Sequence, residues 1–455
     1  MLVRGLELAP QPGTGDAIRH QRPLGQLRRA VEQLQRQPSS RHTIAPAGRR
    51  QHRQTKARVL LGNTDRQPAE RRHRKKMVKR KAVQDAEVAS KTIAQKALLI
   101  VHTGPGKGKS TGLRVSGDIA DFRGLLAKVG NGMALGIDEA ERAFDIMTSG
   151  NATPAQMGAF LMGLKVRGET ADELAGGAKV LRAKVARVRA PSGAIDIVGT
   201  GGDHHGTYNV SSCSALVVAG AGVPVAKHGN RAFTSKSGAA DVLGALGINL
   251  DLPIETLEKA LAEASVCFLM APRHHGAMRN VAGPRVELAP SRTIFNLLGP
   301  MSNPALVSRQ LVGVFDRRWL KPVAQALGQL GLERVLVVHG QDGMDELTTT
   351  TKSWAASLEG GKVSEIEIAP EDAGVARATM DKLKGGDAAH NADAIRQVLA
   401  GRRDAFRDIV VLNSAAALMV AGKAGNLKDG AAMAVESIDG GKARKALELL
   451  QRICA

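Results

Sequence analysis

"DIVGTGGDHHGTYNVSS", residues 196–212, sets a short apolar run directly before Gly199, Gly201 and Gly202. Glycine at such a point lets the backbone approach a bulky ligand and turn its N–H groups toward anionic oxygens. Thr207, Asn209, Ser211 and Ser212 then crowd hydroxyl and amide groups into the start of the next helical pattern. A helix N-terminus favours phosphate at that place. A plain strand–helix turn needs a cap but not this density of polar groups, so the stretch reads as an anion site at the end of a strand.

The same strand, glycine loop and helix order recurs on both sides. "AIDIVGTGG", "VPVAKHGN", "RQLVGVF" and "RVLVVHG" are buried-strand patterns, each leading into a loop. "AADVLGALG", "IETLEKALAEA" and "KPVAQALGQLG" are the helical stretches between them. Alternating strands and helices predict an α/β fold with a mainly parallel sheet, whose ligands bind beyond the carboxyl ends of the strands. Upstream, residues 119–189 read as a small helical domain. Leu125, Leu126 and Val129 share a face, Asp138 opens a helix ending near Gly150, Thr153-Pro154 opens another, and residues 170–185 form a third. The α/β domain is expected over 190–455.

Composition sets further bounds. The 455 residues are 43% hydrophobic and carry a formal net charge of +21. Residues 1–118 hold 26 Lys and Arg against 8 Asp and Glu, a net of +18, and the remainder holds 38 against 35, only +3. The basicity therefore belongs to an N-terminal extension, in which "RRHRKKMVKRK" (71–81) is expected to be disordered. No aromatic residue interleaves that run for base stacking, so nucleic acid is not expected as a partner. Cys213, Cys267 and Cys454 are too few and too scattered for a disulfide framework or zinc site, which points to a reducing cytoplasm. No run is long and apolar enough for a membrane span, and no signal-peptide pattern opens the chain.

Three further constellations carry chemistry. "KHGNRAFTSKSGAAD" (227–241) follows a strand and is read as a short loop of Lys227, His228, Asn230, Arg231, Thr234, Ser235 and Ser237, suited to a phosphorylated sugar. In "APRHHGAMRNVAGPRVELAPSRTIFNLLGPMSNPA" (271–305), Arg285 has the forked donors for a carboxylate, and "FNLLGPMSNP" reads as scaffold, an apolar helix stopped at Gly299-Pro300. In "VVHGQDGMDELTTT" (337–350), Asp345 and Glu346 follow a strand and a glycine loop, a pair suited to Mg²⁺ beside phosphate.

"GTGGD", "KHGN", "RTIFNLLGP", "NPA" and "DGMDE", in this order, closely resemble anthranilate phosphoribosyltransferase from about Asp121 to the C-terminus. The resemblance implies the nucleoside phosphorylase and phosphoribosyltransferase type of fold and a homodimer formed through the helical domain. It also implies condensation of anthranilate with phosphoribosyl pyrophosphate (PRPP), the second step from chorismate to tryptophan, with two Mg²⁺ ions. Gly199, Gly202, Asp203, Thr207, Asn209, Val210, Ser211 and Ser212 would contact PRPP, with Ser211 also on Mg²⁺. Lys227, His228, Gly229, Asn230, Arg231, Ala232, Phe233, Thr234, Ser235 and Ala239 would continue that site. Gly199 and Asn230 would also lie against anthranilate, Arg285 would bind its carboxylate and His275 would line its path. Asp345 and Glu346 would hold the second ion. Lys227, Arg285, Asp345 and Glu346 are the expected catalytic group. Gly276, the longer spacer after Arg285, and His204-His205 depart from the family pattern. A pyrimidine nucleoside phosphorylase finds no matching phosphate loop. The alternative kept open is a nucleic-acid-binding paralogue of the same fold without transferase activity.

One motif stands apart. "TGPGKGKST" (103–111), after "ALLIV", is written like a P-loop with Thr103 in the first-glycine position. Residues 76–112 resemble the N-terminal region of cobalamin adenosyltransferases. With no room for the helix and further strands a P-loop needs, this reads as a fragment, or a misplaced start, ahead of a complete enzyme.

Overall fold

The computed structural model describes residues 117–231 and 237–455. The basic extension and its P-loop-like segment lie outside the described residues, as do Ala232, Phe233, Thr234 and Ser235.

Four helices come first: α1 (Gly117–Gly130), α2 (Ile137–Thr148), α3 (Pro154–Arg167) and α4 (Ala171–Ala183). Their starts were written in the sequence. Thr153 accepts from the Gln156 N–H with Pro154 at the first helical position, and Thr170 accepts from the Glu173 N–H. Each is a capping box, which satisfies N–H groups that the helix itself cannot. Leu125 and Val129 are buried as the periodicity requires, alongside Phe122, Phe144 and Phe160. Glu173 is fully buried and is held by the backbone N–H groups of Leu135 and Thr170, each at 2.9 Å, and by Arg167.

A seven-stranded sheet follows. β1 (Ile195–Gly199), β2 (Val225–Gly229), β3 (Val266–Met270), β4 (Arg309–Gly313), β5 (Arg334–Gly340), β6 (Ser353–Glu359) and β7 (Lys362–Ile368) stand in the order β3-β2-β1-β4-β5-β6-β7. The first five of these are parallel, and β6 and β7 complete the edge antiparallel. The mainly parallel sheet expected from the sequence is therefore present. β3, β6 and β7 are additions to it. β7 alternates charged and apolar residues and is exposed along most of its length, which suits an edge.

Helices α5 (Val210–Gly220), α6 (Ala239–Ala245), α7 (Ile254–Glu263), the single turn α8 (Ala271–His274), α9 (Arg279–Glu287) and the single turn α10 (Phe295–Leu298) connect β1 to β4. Beyond them lie α11 (Leu320–Gln329) after β4 and α12 (Ala388–Leu399), α13 (Ala405–Val420), α14 (Leu427–Asp439) and α15 (Lys442–Ile453) after the sheet. One hydrophobic core joins the first helices to a sheet face through Phe144, Leu298, Val312 and Leu327, and a second fills the opposite face around α5 and α13. Both faces of the sheet are thus covered, as parallel strands require.

The strand order reverses between β1 and β4. The chain moves outward from β1 to β2 and β3, then returns to β4 and proceeds to β5. That reversal opens a crevice at the carboxyl ends of β1 and β4, the expected ligand position in such sheets.

Because Glu173 satisfies two backbone donors in a dry core, Glu173→Leu is expected to lower stability by about 3–5 kcal/mol. Thr170→Ala, which removes only a cap, should cost about 1 kcal/mol. Equilibrium urea unfolding measures both. Equal costs would refute the buried-carboxylate role.

Candidate active site

Gly199 ends β1 and pairs in register with Gly313 at the end of β4. Asp345, from the loop after β5, packs over this pair. A Cβ on Gly199 would lie 2.6 Å from Asp345 Oδ2, and one on Gly313 would lie 1.6 Å from the Asp345 carbonyl oxygen. Gly199 leaves room for the carboxylate and Gly313 for the main chain that carries it. The Gly201 N–H donates to Asp345 Oδ2 at 2.7 Å, which ties the glycine loop to the acidic loop.

Lys227 and His228 are not in a loop, as the sequence reading had them. They are the third and fourth residues of β2, each only 3% exposed. Their side chains are pinned rather than mobile. Lys227 Nζ donates to the Ile197 carbonyl at 2.6 Å and to Ser211 Oγ at 3.1 Å. The ammonium thus sits between β1 and the first turn of α5, facing Asp345 and Glu346. Asn209 stands at the N-cap position of α5 without a side-chain cap bond, Val210, Ser211 and Ser212 form its first turn, and the Ser212 hydroxyl is buried without a hydrogen-bond partner. The Val210 side chain belongs to the core, so a ligand meets only its backbone.

The electrostatics are those of charges kept from water. Burial, reinforced by Asp203, raises the Asp345 carboxyl to about 7. Burial and the neighbouring Asp345 push Glu346 well above the ordinary range, while Lys227 and the Ser211 backbone pull it down. Glu346 keeps some surface open to the crevice. Lys227 is itself lowered, because burial outweighs Asp196, Glu346 and Asp345. One hydrogen-bonded ammonium does not balance the carboxylates around it.

A divalent cation fits this arrangement. Among the described residues no three His, Cys, Asp or Glu side chains form a closed cage. Mg²⁺ does not ask for one: it binds through one or two carboxylates plus substrate phosphate and keeps several waters. Asp345 and Glu346 supply the carboxylates, and the N-terminus of α5 lies beside them for the phosphate.

His228 and His275 form a second cluster, with ring centroids 5.2 Å apart. Each has a buried Nε2 without a hydrogen-bond partner, while the backbones of Gly299 and Ser302 bond His228 and His275 respectively. The stretch read as scaffold therefore holds the rings. Burial lowers His275 to about 4 and pushes His228 well below the ordinary imidazole value, so both are neutral near pH 7. Arg285 sits in the last turn of α9, its guanidinium 5.3 Å from the Phe295 ring centroid. Gly229 completes β2, Asn230 and Arg231 follow, and Ala239 opens α6. Arg231 is turned aside, 3.1 Å from Asp241 and mostly exposed.

Three residues escaped the sequence reading. Asp196, wholly buried in β1, accepts from the His228 N–H at 3.1 Å and from Gln310 at 3.2 Å, and burial raises it to about 6. Arg292 lies over the Phe315 ring at 4.1 Å, donates to the Gly202 carbonyl and reaches His204 Nε2 at 3.1 Å. Asn391 lies far along the chain and meets Asn209. An acid inside an apolar strand was the one available signal for Asp196. The other two depend on tertiary contacts that no local pattern announces.

The fold and crevice define a two-part transferase. Residues 123–185 match the helical bundle domain of a glycosyl transferase family, and residues 192–444 match its a/b domain. Residues 62–88 match the N-terminal model of cob(I)alamin adenosyltransferase, which ends before the P-loop-like segment. The chain is 58% identical over 337 residues to anthranilate phosphoribosyltransferase of Azospirillum brasilense, covering 74% of this chain and 94% of that protein. It is 56% identical over 335 residues to the Rhodopseudomonas palustris (strain HaA2) enzyme of the same name, covering 74% and 99%. The crystal structure of anthranilate phosphoribosyltransferase from Thermus thermophilus superimposes with a TM-score of 0.69 at 39% identity, over 72% of this chain and 99% of that one. The Saccharomyces cerevisiae enzyme in complex with PRPP and Mg gives 0.68 at 26%, over 75% and 99%. The chain belongs to the anthranilate phosphoribosyltransferase family.

The raised Asp345 pKa has a consequence for stability. A carboxyl whose folded pKa lies above its unfolded value adds stability at low pH and loses it as pH rises through the folded value. In Mg²⁺-free protein, stability contributed by Asp345 should therefore fall as pH rises from about 4, the ordinary carboxyl value, to about 7 and stay level above it. Asp345→Asn should flatten that fall and raise the thermal midpoint at pH 8. A lower midpoint for the variant would contradict the assigned burial cost.

Proposed function

We propose that the chain transfers the phosphoribosyl group of PRPP to the amine of anthranilate, releasing pyrophosphate. The observation that carries this reading is the convergence of the glycine loop, the α5 N-terminus, Lys227 and the Asp345–Glu346 pair on one crevice. The neighbouring pocket of neutral histidines suits an aromatic acceptor.

The proposed roles follow from chemistry. As the bond at C1 of the ribose breaks, positive charge grows on the ring and negative charge on the leaving pyrophosphate. Gly199, Gly202, Asp203, Thr207, Asn209, Ser211 and Ser212 hold the sugar pyrophosphate, and the Val210 backbone adds to the N-terminus of α5. Lys227, fixed by two hydrogen bonds, faces the departing charge without having to reorganise. Ala232, Phe233, Thr234, Ser235 and Ala239 extend the sugar-phosphate site. Asp345 and Glu346 would hold Mg²⁺, with a second ion at Ser211. When bound, Mg²⁺ neutralises charge developing on the pyrophosphate oxygens. Arg285 meets the anthranilate carboxylate, and His228, Asn230 and His275 surround its ring. His228 and His275 are neutral, so they add shape and hydrogen bonding rather than positive charge. The amine attacks C1 opposite the leaving group and loses its proton readily once bonded, so the site needs no strong base. Positioning and electrostatics supply the catalysis.

The organisation we propose is a helical domain at 119–189, a transferase domain at 190–455 and an extension before them. Exposed Met133 and Val166 on the helical part, 49% and 82% accessible, support a homodimer formed there. Among the described residues no helix is long and apolar enough to cross a membrane, and Cys213, Cys267 and Cys454 are free thiols, which supports a cytoplasmic enzyme.

The test is loss of anthranilate fluorescence on addition of PRPP and Mg²⁺ to the purified chain. Turnover that needs all three is the expected result, and a folded protein without turnover overturns the reading. Arg285→Lys, which loses the forked donor pair, should raise the KM for anthranilate about tenfold, or about 1.4 kcal/mol, and leave that for PRPP unchanged. An unchanged anthranilate KM removes Arg285 from the acceptor site.

A further inference from the structure

The glycine loop is braced by a segment nearly two hundred residues away in the chain. Thr207 and Lys384 form an isolated antiparallel bridge. The Tyr208 N–H donates to the Leu383 carbonyl at 3.1 Å, and the Gly385 N–H donates to the Gly206 carbonyl at 3.0 Å. Lys384 Nζ donates to the His205 carbonyl. The Tyr208 ring stacks on Phe406 at 4.4 Å. Gly385 must be glycine, since a Cβ there would meet the Thr207 carbonyl oxygen at 2.7 Å and Asn391 Oδ1 at 2.9 Å.

At the centre of this brace is Asn391, in the first turn of α12 and 1% exposed. Three contacts fix its orientation. The Gly386 N–H, which can only donate, lies 2.7 Å from the Asn391 amide, so that atom is Oδ1. Its Nδ2 therefore faces the other way and donates to Asn209 Oδ1 and Ser237 Oγ, each at 2.9 Å. Ser237 Oγ lies 3.5 Å from the same Asn209 oxygen. The Asn209 carbonyl is thus committed to the protein. Its Nδ2 is what Asn209 has left to present to an anionic oxygen at the α5 N-terminus. An amide turned the other way would present a carbonyl to phosphate, a repulsive contact.

We propose that Asn391 is a positioning residue for PRPP, which sets the Asn209 amide with its N–H₂ toward the sugar pyrophosphate and holds Ser237 in the same network. The inference rests on the reading of the site given above. It adds a residue that touches no substrate, acts through Asn209 and belongs to a helix on the far side of the sheet in sequence. A purely structural asparagine would change stability alone. An orienting one changes PRPP affinity in a way that depends on Asn209.

Asn391→Asp is the discriminating variant. Its carboxylate still accepts from the Gly386 N–H but has no hydrogen to give Asn209 Oδ1, so the Asn209 amide loses its reason to face correctly. The expected result is a KM for PRPP at least tenfold higher, an anthranilate KM within twofold of wild type and near-normal kcat at saturating PRPP. In an Asn209→Ala background the same change should cost less than threefold. An unchanged PRPP KM, or the full cost persisting without Asn209, overturns the proposal. If Asn391→Asp does not fold, Gly385→Ala disturbs the same brace and is judged by the same PRPP and anthranilate KM values. Calorimetric binding of pyrophosphate with Mg²⁺ separates this proposal from the reaction itself. A wild-type chain that binds it without consuming anthranilate refutes the reaction, and Asn391 is then judged by binding alone. Weaker binding by the variant supports its role, and equal binding, or none by the wild type, refutes it.

Discussion

An aspartate is wedged against two glycines at the point where the strand order reverses, its carboxylate on Gly199 and its main-chain carbonyl on Gly313. Gly199 and Gly313 stand side by side at the ends of β1 and β4, and Asp345 occupies the space their missing side chains leave. The strands bring the glycines together, the glycines admit the acid, and the acid takes the Gly201 N–H and so sets the loop. The set of the glycine loop and the place of the second acid, Glu346, follow from that contact.

The arrangement is unfavourable as it stands. Two carboxylates, with Asp203 and Asp196 nearby, share one buried lysine, and burial raises the acids and lowers the lysine together. A protein optimised for stability alone would not keep such a group. On the proposed function, Mg²⁺ would answer the acids and the phosphates would answer the lysine and the helix terminus.

Much of this was legible before any coordinates. Capping residues such as Thr153 and Thr170 marked helix starts, because a cap is a local device, and apolar runs bounded by glycine marked β1, β2, β4 and β5. β3 hid behind a helix and a cysteine, and β6 and β7 lacked the continuous apolar character of the central strands. Lys227 and His228 read as loop residues because charge and hydroxyls surround them, but β2 continues through both, with Lys227 bonded to the Ile197 carbonyl and the His228 N–H to Asp196 across the sheet. Asp196, Arg292 and Asn391 were missed for one physical reason. Each acts on a residue distant in the chain, and periodicity reports only which way a side chain faces, not which one it meets.

Burial raises the Asp345 carboxyl to about 7 and pushes Glu346 upward with it, and bound Mg²⁺ and pyrophosphate would reverse both shifts. Isotope-edited infrared spectroscopy at a pH just below 7 reads this directly, through the C=O stretch of protonated carboxyl groups. A protonated-carboxyl band should be present in the Mg²⁺-free protein, vanish when Mg²⁺ and pyrophosphate are added together, and weaken in Asp345→Asn. Carboxylates ionised in both states, with no band to lose, would contradict the account.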